Sequence, residues 1–211
     1  LRAGLICLPL NTGYRDLEID YFLDNAAPGL LVCAPERLEA ATRLAAARGV
    51  GQVLTLDAHG RGGLYEQARS QPAEFPTLEM RGDEVAVILY TSGTTGRPKG
   101  AMITHRNLAA NGLALHQAWG WRPGDVLLHA LPIFHIHGLF VACHTALLNA
   151  SKMLFLPKFE AGTVLRALPQ ATVFMGVPTY YTRLLAEAGL DRETCCNMRL
   201  FTCGSAPLLP Q

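Results

Sequence analysis

The chain has 211 residues, half of them hydrophobic, enough for one large domain or two small ones around a sizeable core. Its formal charge of +1 gives no electrostatic footing for nucleic acid or for an acidic membrane surface. Six cysteines with no C-x-x-C pair read as reduced thiols of a cytoplasmic protein, not as a disulfide framework. The opening "LRAGLICLPL" is too short to span a bilayer and lacks a small-residue cleavage site. No later apolar run reaches spanning length without a charge, Gly or Pro. A start on Leu1 and an abrupt stop at Gln211 suggest a piece of a longer protein.

Strand-length apolar runs alternate with segments of helical period. "LICL" reads as a strand and "RDLEIDYFLDNA" as a helix, with Leu17, Ile19, Tyr21, Phe22 and Leu23 at helical spacing. "LLVC" is strand-like, and "PERLEAATRLAAARG" is a helix with Pro35 at its start and Gly49 at its end. "QVLTL" is another strand, followed by a polar connection around "HGRGG". Residues 70–84, with two prolines and little periodicity, read as a surface linker. "VAVILY" is wholly apolar, as in strands buried on both faces of a parallel sheet. A Gly-rich loop and a helix over "HRNLAANGLALHQAW" follow. Then come strand "DVLLHALP", helix "GLFVACHTALLNA", strand "KMLFLP", helix "EAGTVLRAL", strand "ATVFMG", helix "PTYYTRLLAEAG" and strand "MRLFTCG". The alternation predicts an α/β fold of parallel sheets covered by helices, with one subregion over 1–84 and another over 85–211.

The chemistry concentrates in "YTSGTTGRPKG", Tyr90 to Gly100. Glycines let backbone N–H groups approach an anion, Thr91, Ser92, Thr94 and Thr95 add hydroxyls, and Lys99 adds a mobile charge. The loop leaves the carboxyl end of a strand, where ligands bind in open α/β sheets. A Walker loop is disfavoured, because only Thr94 and Thr95 separate Gly93 from Gly96. A surface turn of similar composition remains the plain alternative. The string resembles, at every fixed position, the signature loop of the adenylate-forming superfamily, which includes acyl-CoA synthetases.

"LPIFHIHGL" (131–139) resembles that family's next motif. The resemblance places His135 beside the carboxylate substrate and the acyl-adenylate, with His137 at a more variable position. The competing idea is a metal site of His135, His137 and His144. No carboxylate or cysteine at suitable spacing joins them, so no metal ligand is assigned. "TCGSAPLL" (202–209) resembles the segment lining adenine and the acyl group, through Gly204, Ser205, Ala206 and Pro207. "LRAGLICLPLN" resembles an upstream structural motif.

The resemblance implies part of the large N-terminal domain of such an enzyme, and a two-step reaction. A carboxylate attacks the α-phosphorus of ATP, and a thiol, most often that of coenzyme A, then displaces AMP. Mg²⁺ is expected to share the screening of charge. The loop from Thr91 to Gly96 with Lys99 suits the phosphates. The region from 131 onward looks like malonyl-CoA synthetases. In that family the Arg at position 183, with Ser205, holds the second carboxylate of malonate or methylmalonate. A guanidinium grips a carboxylate in bidentate fashion. An Arg183 that snorkels to the surface, a medium-chain or aryl acyl-CoA ligase, and a non-catalytic nucleotide-binding remnant stay open. The chain stops before the family's Mg²⁺-binding Glu and its late catalytic lysine, so the 211 residues alone are expected to be inactive. Only small-molecule partners are expected; the sequence is silent on oligomeric state.

Overall fold

In the computed structural model, residues 1–91 and 97–207 are described. Residues 10–77 form one compact unit, and residues 1–9 with 78–211 form another. In the first unit, helix α1 (Asp16–Ala26) starts with the Glu18 carboxylate accepting from the Arg15 N–H at 2.9 Å, while the Glu18 N–H donates to the Arg15 carbonyl oxygen at 3.0 Å. Its buried face is Phe22 and Leu23, whereas Leu17 faces solvent. Strands β1 (Leu30–Cys33) and β2 (Gln52–Thr55) pair in parallel around helix α2 (Leu38–Ala47). A single 3₁₀ turn at Pro35–Arg37 leads into α2, and Gly49 takes a φ of 70° just beyond it. The proline start and glycine stop expected for this helix are both present. A short helix α3 (Gly63–Arg69) occupies part of what reads as a polar connection.

The second unit departs from expectation at its first strand. β3 (Val85–Thr91) pairs antiparallel with β4 (Lys99–Thr104), with Tyr90 opposite Gly100 and Thr91 opposite Lys99. It does not lie in a parallel sheet; its partner is the strand that follows the Gly-rich segment. The sequence hides β4 because residues 99–102 are all exposed and give no apolar alternation. "LICL" contributes only one parallel bridge, Cys7 to Val87, fixed by Cys7 N–H on Ala86 O (2.9 Å) and Ile88 N–H on Cys7 O (3.0 Å). Those bonds place residues 1–9 in the second unit.

The remaining strands follow the alternation. β5 (Val126–His129), β6 (Lys152–Phe155), β7 (Val173–Gly176) and β8 (Leu200–Cys203) form one parallel sheet in the order β6-β5-β7-β8. Helices α4 (His105–Ala118), α5 (His144–Leu148), α6 (Ala161–Ala167) and α7 (Pro178–Leu185) connect or flank these strands. Thr104 caps α4 by accepting from the Asn107 N–H at 3.2 Å. Leu127 and Leu128 point to opposite sheet faces. The first packs with Trp121, Ala142, Ala146, Val173 and Met175, the second with Val164, Leu168, Phe174 and Leu184. The core thus lies on both faces of the sheet, as buried parallel strands require.

Candidate active site

The register aligns His129 with Phe155 and Gly176 with Cys203, so the carboxyl ends of four strands share one edge. Ligands collect at this edge in α/β sheets. Two of the motif segments leave it: residues 130–137 from β5 and residues 204–207 from β8.

After β5 the chain turns through Pro132 and enters a π-helix, His137–Cys143. π-Helices are rare and often mark functional sites. Gly138 permits this one: a Cβ there would lie 2.2 Å from the Pro132 carbonyl oxygen. The π-helix then packs Phe140 against Ala86, Val87 and Leu89 of β3 and Leu108 of α4. The hairpin that carries the Gly-rich loop and the histidine segment therefore share one hydrophobic cluster.

The two histidines of the segment have opposite fates. His135 is exposed, its ring 4.4 Å from that of Phe134. His137 is buried, and its Nδ1 lies 3.0 Å from Ser205 Oγ across 68 residues of sequence. Ser205 has a φ of 68°, left-handed for a residue other than glycine. Gly204 donates its N–H to Gly176 O at 3.1 Å and lies against the His137 ring. Ser205, Ala206 and Pro207 are exposed.

Burial holds the His137 imidazole below its ordinary pKa, so it is neutral at pH 7. Burial pushes His129 further, to about 4. The Cys143 thiol, with both His129 ring nitrogens within 3.8 Å of its Sγ, is raised by burial to about 11. It is a protonated, inert core thiol at neutral pH.

The other expected residues are less gathered. Thr91 and Lys99 are exposed and face each other across the mouth of the β3–β4 hairpin. Ser92, Gly93, Thr94, Thr95 and Gly96 lie outside the described residues. Arg183 is exposed in the last turn of α7, with no ion pair among the described residues. His144 packs its ring edge-on to Phe140 on a separate course from His135 and His137. Among the described residues no group of three His, Cys, Asp or Glu side chains could hold a metal ion.

The sequence gives little notice of the burial of His137 or of its contact with Ser205. The only signal for it is the glycine that follows it in "HIHG". That glycine makes the tight approach to Pro132 possible and so the π-helix that buries the ring.

Comparison with known proteins gives the family and the fold. The family described as AMP-binding enzyme matches residues 1–211. The chain belongs to that family. It is 39% identical over 189 residues, 87% of its length, to the mitochondrial malonate–CoA ligase ACSF3 of Mus musculus, of which it covers 32%. It is 33% identical over 98% of its length to feruloyl-CoA synthase of Amycolatopsis sp, covering 40% of that protein. The crystal structure of ATP-bound MatB from Rhodopseudomonas palustris superposes with a TM-score of 0.95 at 50% identity. That match covers 99% of this chain and 41% of MatB. The chain thus spans from 32% to 41% of the length of these relatives. Their fold is the α/β architecture expected from the sequence. No helix among the described residues is long and apolar enough to cross a membrane.

Proposed function

We propose that the protein carrying this chain activates malonate or methylmalonate with ATP. The carboxylate oxygen bonds to the α-phosphorus as pyrophosphate leaves. The thiol of coenzyme A then attacks the acyl carbonyl, loses its proton and releases AMP. The observation that carries the reading is the complete signature loop at 90–100 within a chain 39% identical to a malonate–CoA ligase.

The first step brings two anions together, so cationic and N–H donors must screen the phosphates. Thr91 and Lys99 flank the hairpin mouth and suit that task, together with the loop they enclose. The exposed ring of His135 is open to the reacting carboxylate. Ser205 and Arg183 are assigned to the second carboxylate, one as a hydroxyl donor and one as a bidentate cation. Mg²⁺ would neutralise polyphosphate charge when bound; no residue of this chain is assigned to it.

A second reading, a ligase of monocarboxylic or aryl acids, draws on the likeness to feruloyl-CoA synthase and on the exposed, unpaired state of Arg183. Acid-dependent ATP–pyrophosphate exchange decides between them. It is measured on a protein of full family length bearing this chain, with malonate, methylmalonate, octanoate and coumarate. Exchange supported best by malonate or methylmalonate is expected. Exchange with coumarate or octanoate alone would favour the second reading, and none with any acid would favour a nucleotide-binding remnant. The 211 residues alone are expected to form no acyl-CoA.

A further inference from the structure

We propose that His137 is a positioning residue for Ser205: its Nδ1–H donates to Ser205 Oγ and turns the Ser205 O–H toward the acid substrate. The proposal rests on the reading above, in which Ser205 meets the second carboxylate.

The geometry is built rather than incidental. His137 is 9% exposed and Ser205 is exposed, so the 3.0 Å bond runs from the core to the surface where a ligand arrives. A glycine makes room for the turn that buries the ring: Gly138 lets the π-helix back onto Pro132, where a Cβ would lie 2.2 Å from the carbonyl oxygen, and Gly204 packs beside the ring. Ser205 is held at a φ of 68°, a conformation that persists only where its surroundings fix it. The bond to His137 is one such restraint.

The polarity of the bond follows from the donor count. A serine hydroxyl has one proton, and a carboxylate only accepts. If Ser205 donated to His137, no proton would remain for the substrate. If the imidazole carries its proton on Nδ1, Ser205 accepts from it and donates outward. The ring needs no charge for this, consistent with its burial. Nε2 has no hydrogen-bond partner among the described residues, so no protein group there holds the proton in place of Nδ1. His135 cannot substitute: it lies two residues earlier, outside the π-helix and exposed.

The test uses a protein of full family length bearing this chain. Histidine-selective ¹⁵N NMR should find His137 neutral with its proton on Nδ1, and Ser205→Ala should shift that resonance. In kinetics, His137→Phe keeps a ring and removes the donor. It should raise KM for malonate roughly 10- to 100-fold, the loss of one hydrogen bond to a charged ligand, with the smaller effect on kcat. The loss should be at least about tenfold greater for malonate than for butyrate. His137→Asn, which returns a polar group near Nδ1, should recover most of it. In a Ser205→Ala background His137→Phe should add little further loss, because the two act as one unit. An Nε2–H tautomer, equal losses for both acids, or additive losses would overturn the proposal. A wild type that takes butyrate but not malonate would instead overturn the dicarboxylate reading, and the tautomer would still decide the bond. If His137→Phe fails to fold, His137→Asn and the NMR result carry the decision.

Discussion

Arg199 and Asp125 join the starts of β8 and β5 across the strand between them. Arg199 Nε donates to Asp125 Oδ1 at 2.7 Å, and Nη2 pairs with Oδ2. Thr172, just before β7, donates its hydroxyl to Oδ1 at 2.8 Å while accepting from the Val126 N–H at 2.9 Å. The Arg122 N–H donates to Oδ2 at 2.7 Å. One carboxylate, 4% exposed, therefore ties three strand starts together. The network sits at the opposite edge of the sheet from the motif segments, and fixes their strands from behind.

Asp125→Ala is expected to cost about 3 kcal/mol, since it leaves a partly buried guanidinium and the Thr172 hydroxyl without their acceptor. Urea unfolding should show a lower midpoint with an unchanged slope. Burial alone would raise the Asp125 pKa, but the bonds from Arg199, Arg122 and Thr172 outweigh it and the net shift is downward. A lowered folded pKa means stability that is present above the ordinary value of 3.8 and is lost as pH falls through the folded value. Asp125→Asn should flatten that part of the acid limb. An acid limb identical to wild type would refute the assignment.

His129 governs a different window. It is 1% exposed, and its folded pKa of about 4 lies below the ordinary 6.5. Between those values the unfolded chain binds a proton that the folded chain does not, so stability falls as pH drops from 6.5 towards 4. The full effect is about 3 kcal/mol. His129→Gln should remove the largest part of this slope, leaving the smaller share of His137 and His144, which burial also holds below their ordinary values, and the Asp125 limb below pH 4. The check is the unfolding free energy measured at half-unit steps from pH 7 to 2.

The parallel sheet was legible because buried strands such as "VLLH" and "VFMG" leave continuous apolar runs, and α2 because Pro35 and Gly49 mark its ends. β4 was not, since its outward face carries no alternation to read. The π-helix was not either: "GLFVACHTALLNA" has a helical period, and nothing in that period distinguishes an i→i+5 turn from an α-turn. Its cause is a tertiary approach, Gly138 to the Pro132 carbonyl. The site divides in the same way. The Gly/Ser/Thr loop declares itself by composition and spacing. The pairing of His137 with Ser205 depends on two loops leaving strands separated by β7, which no local pattern encodes.

Gly138→Ala tests that approach. The added Cβ would meet the Pro132 oxygen at 2.2 Å, well inside contact, and the obstacle is backbone, not a flexible side chain. The π-turn must open or shift, at an expected cost of at least about 2 kcal/mol. His137 should then part from Ser205, and the ¹⁵N resonance of its ring should move as it does in Ser205→Ala. An unperturbed resonance and unchanged stability would show that the π-helix does not depend on this contact.

Arg183 is an exposed element of the proposed substrate clamp, and its prediction is correspondingly sharp. The guanidinium sits in the last turn of α7 without an ion pair among the described residues, so removing it breaks no internal bond. The last-turn position favours a cation by only a few tenths of a kcal/mol, so Arg183→Ala should unfold within about 0.5 kcal/mol of wild type. If the side chain grips a second carboxylate in bidentate fashion, its loss should raise KM for malonate by roughly 100-fold or more and barely affect octanoate. Arg183→Lys should restore only part, because an ammonium keeps the charge but loses the two-pronged geometry. Steady-state kinetics with both acids, in a protein of full family length, separates the cases. A matched loss for malonate and octanoate would make Arg183 a surface residue, with its stem on the helix and its head in water, and would shift the weight of acid selection onto Ser205 and the side chains around it.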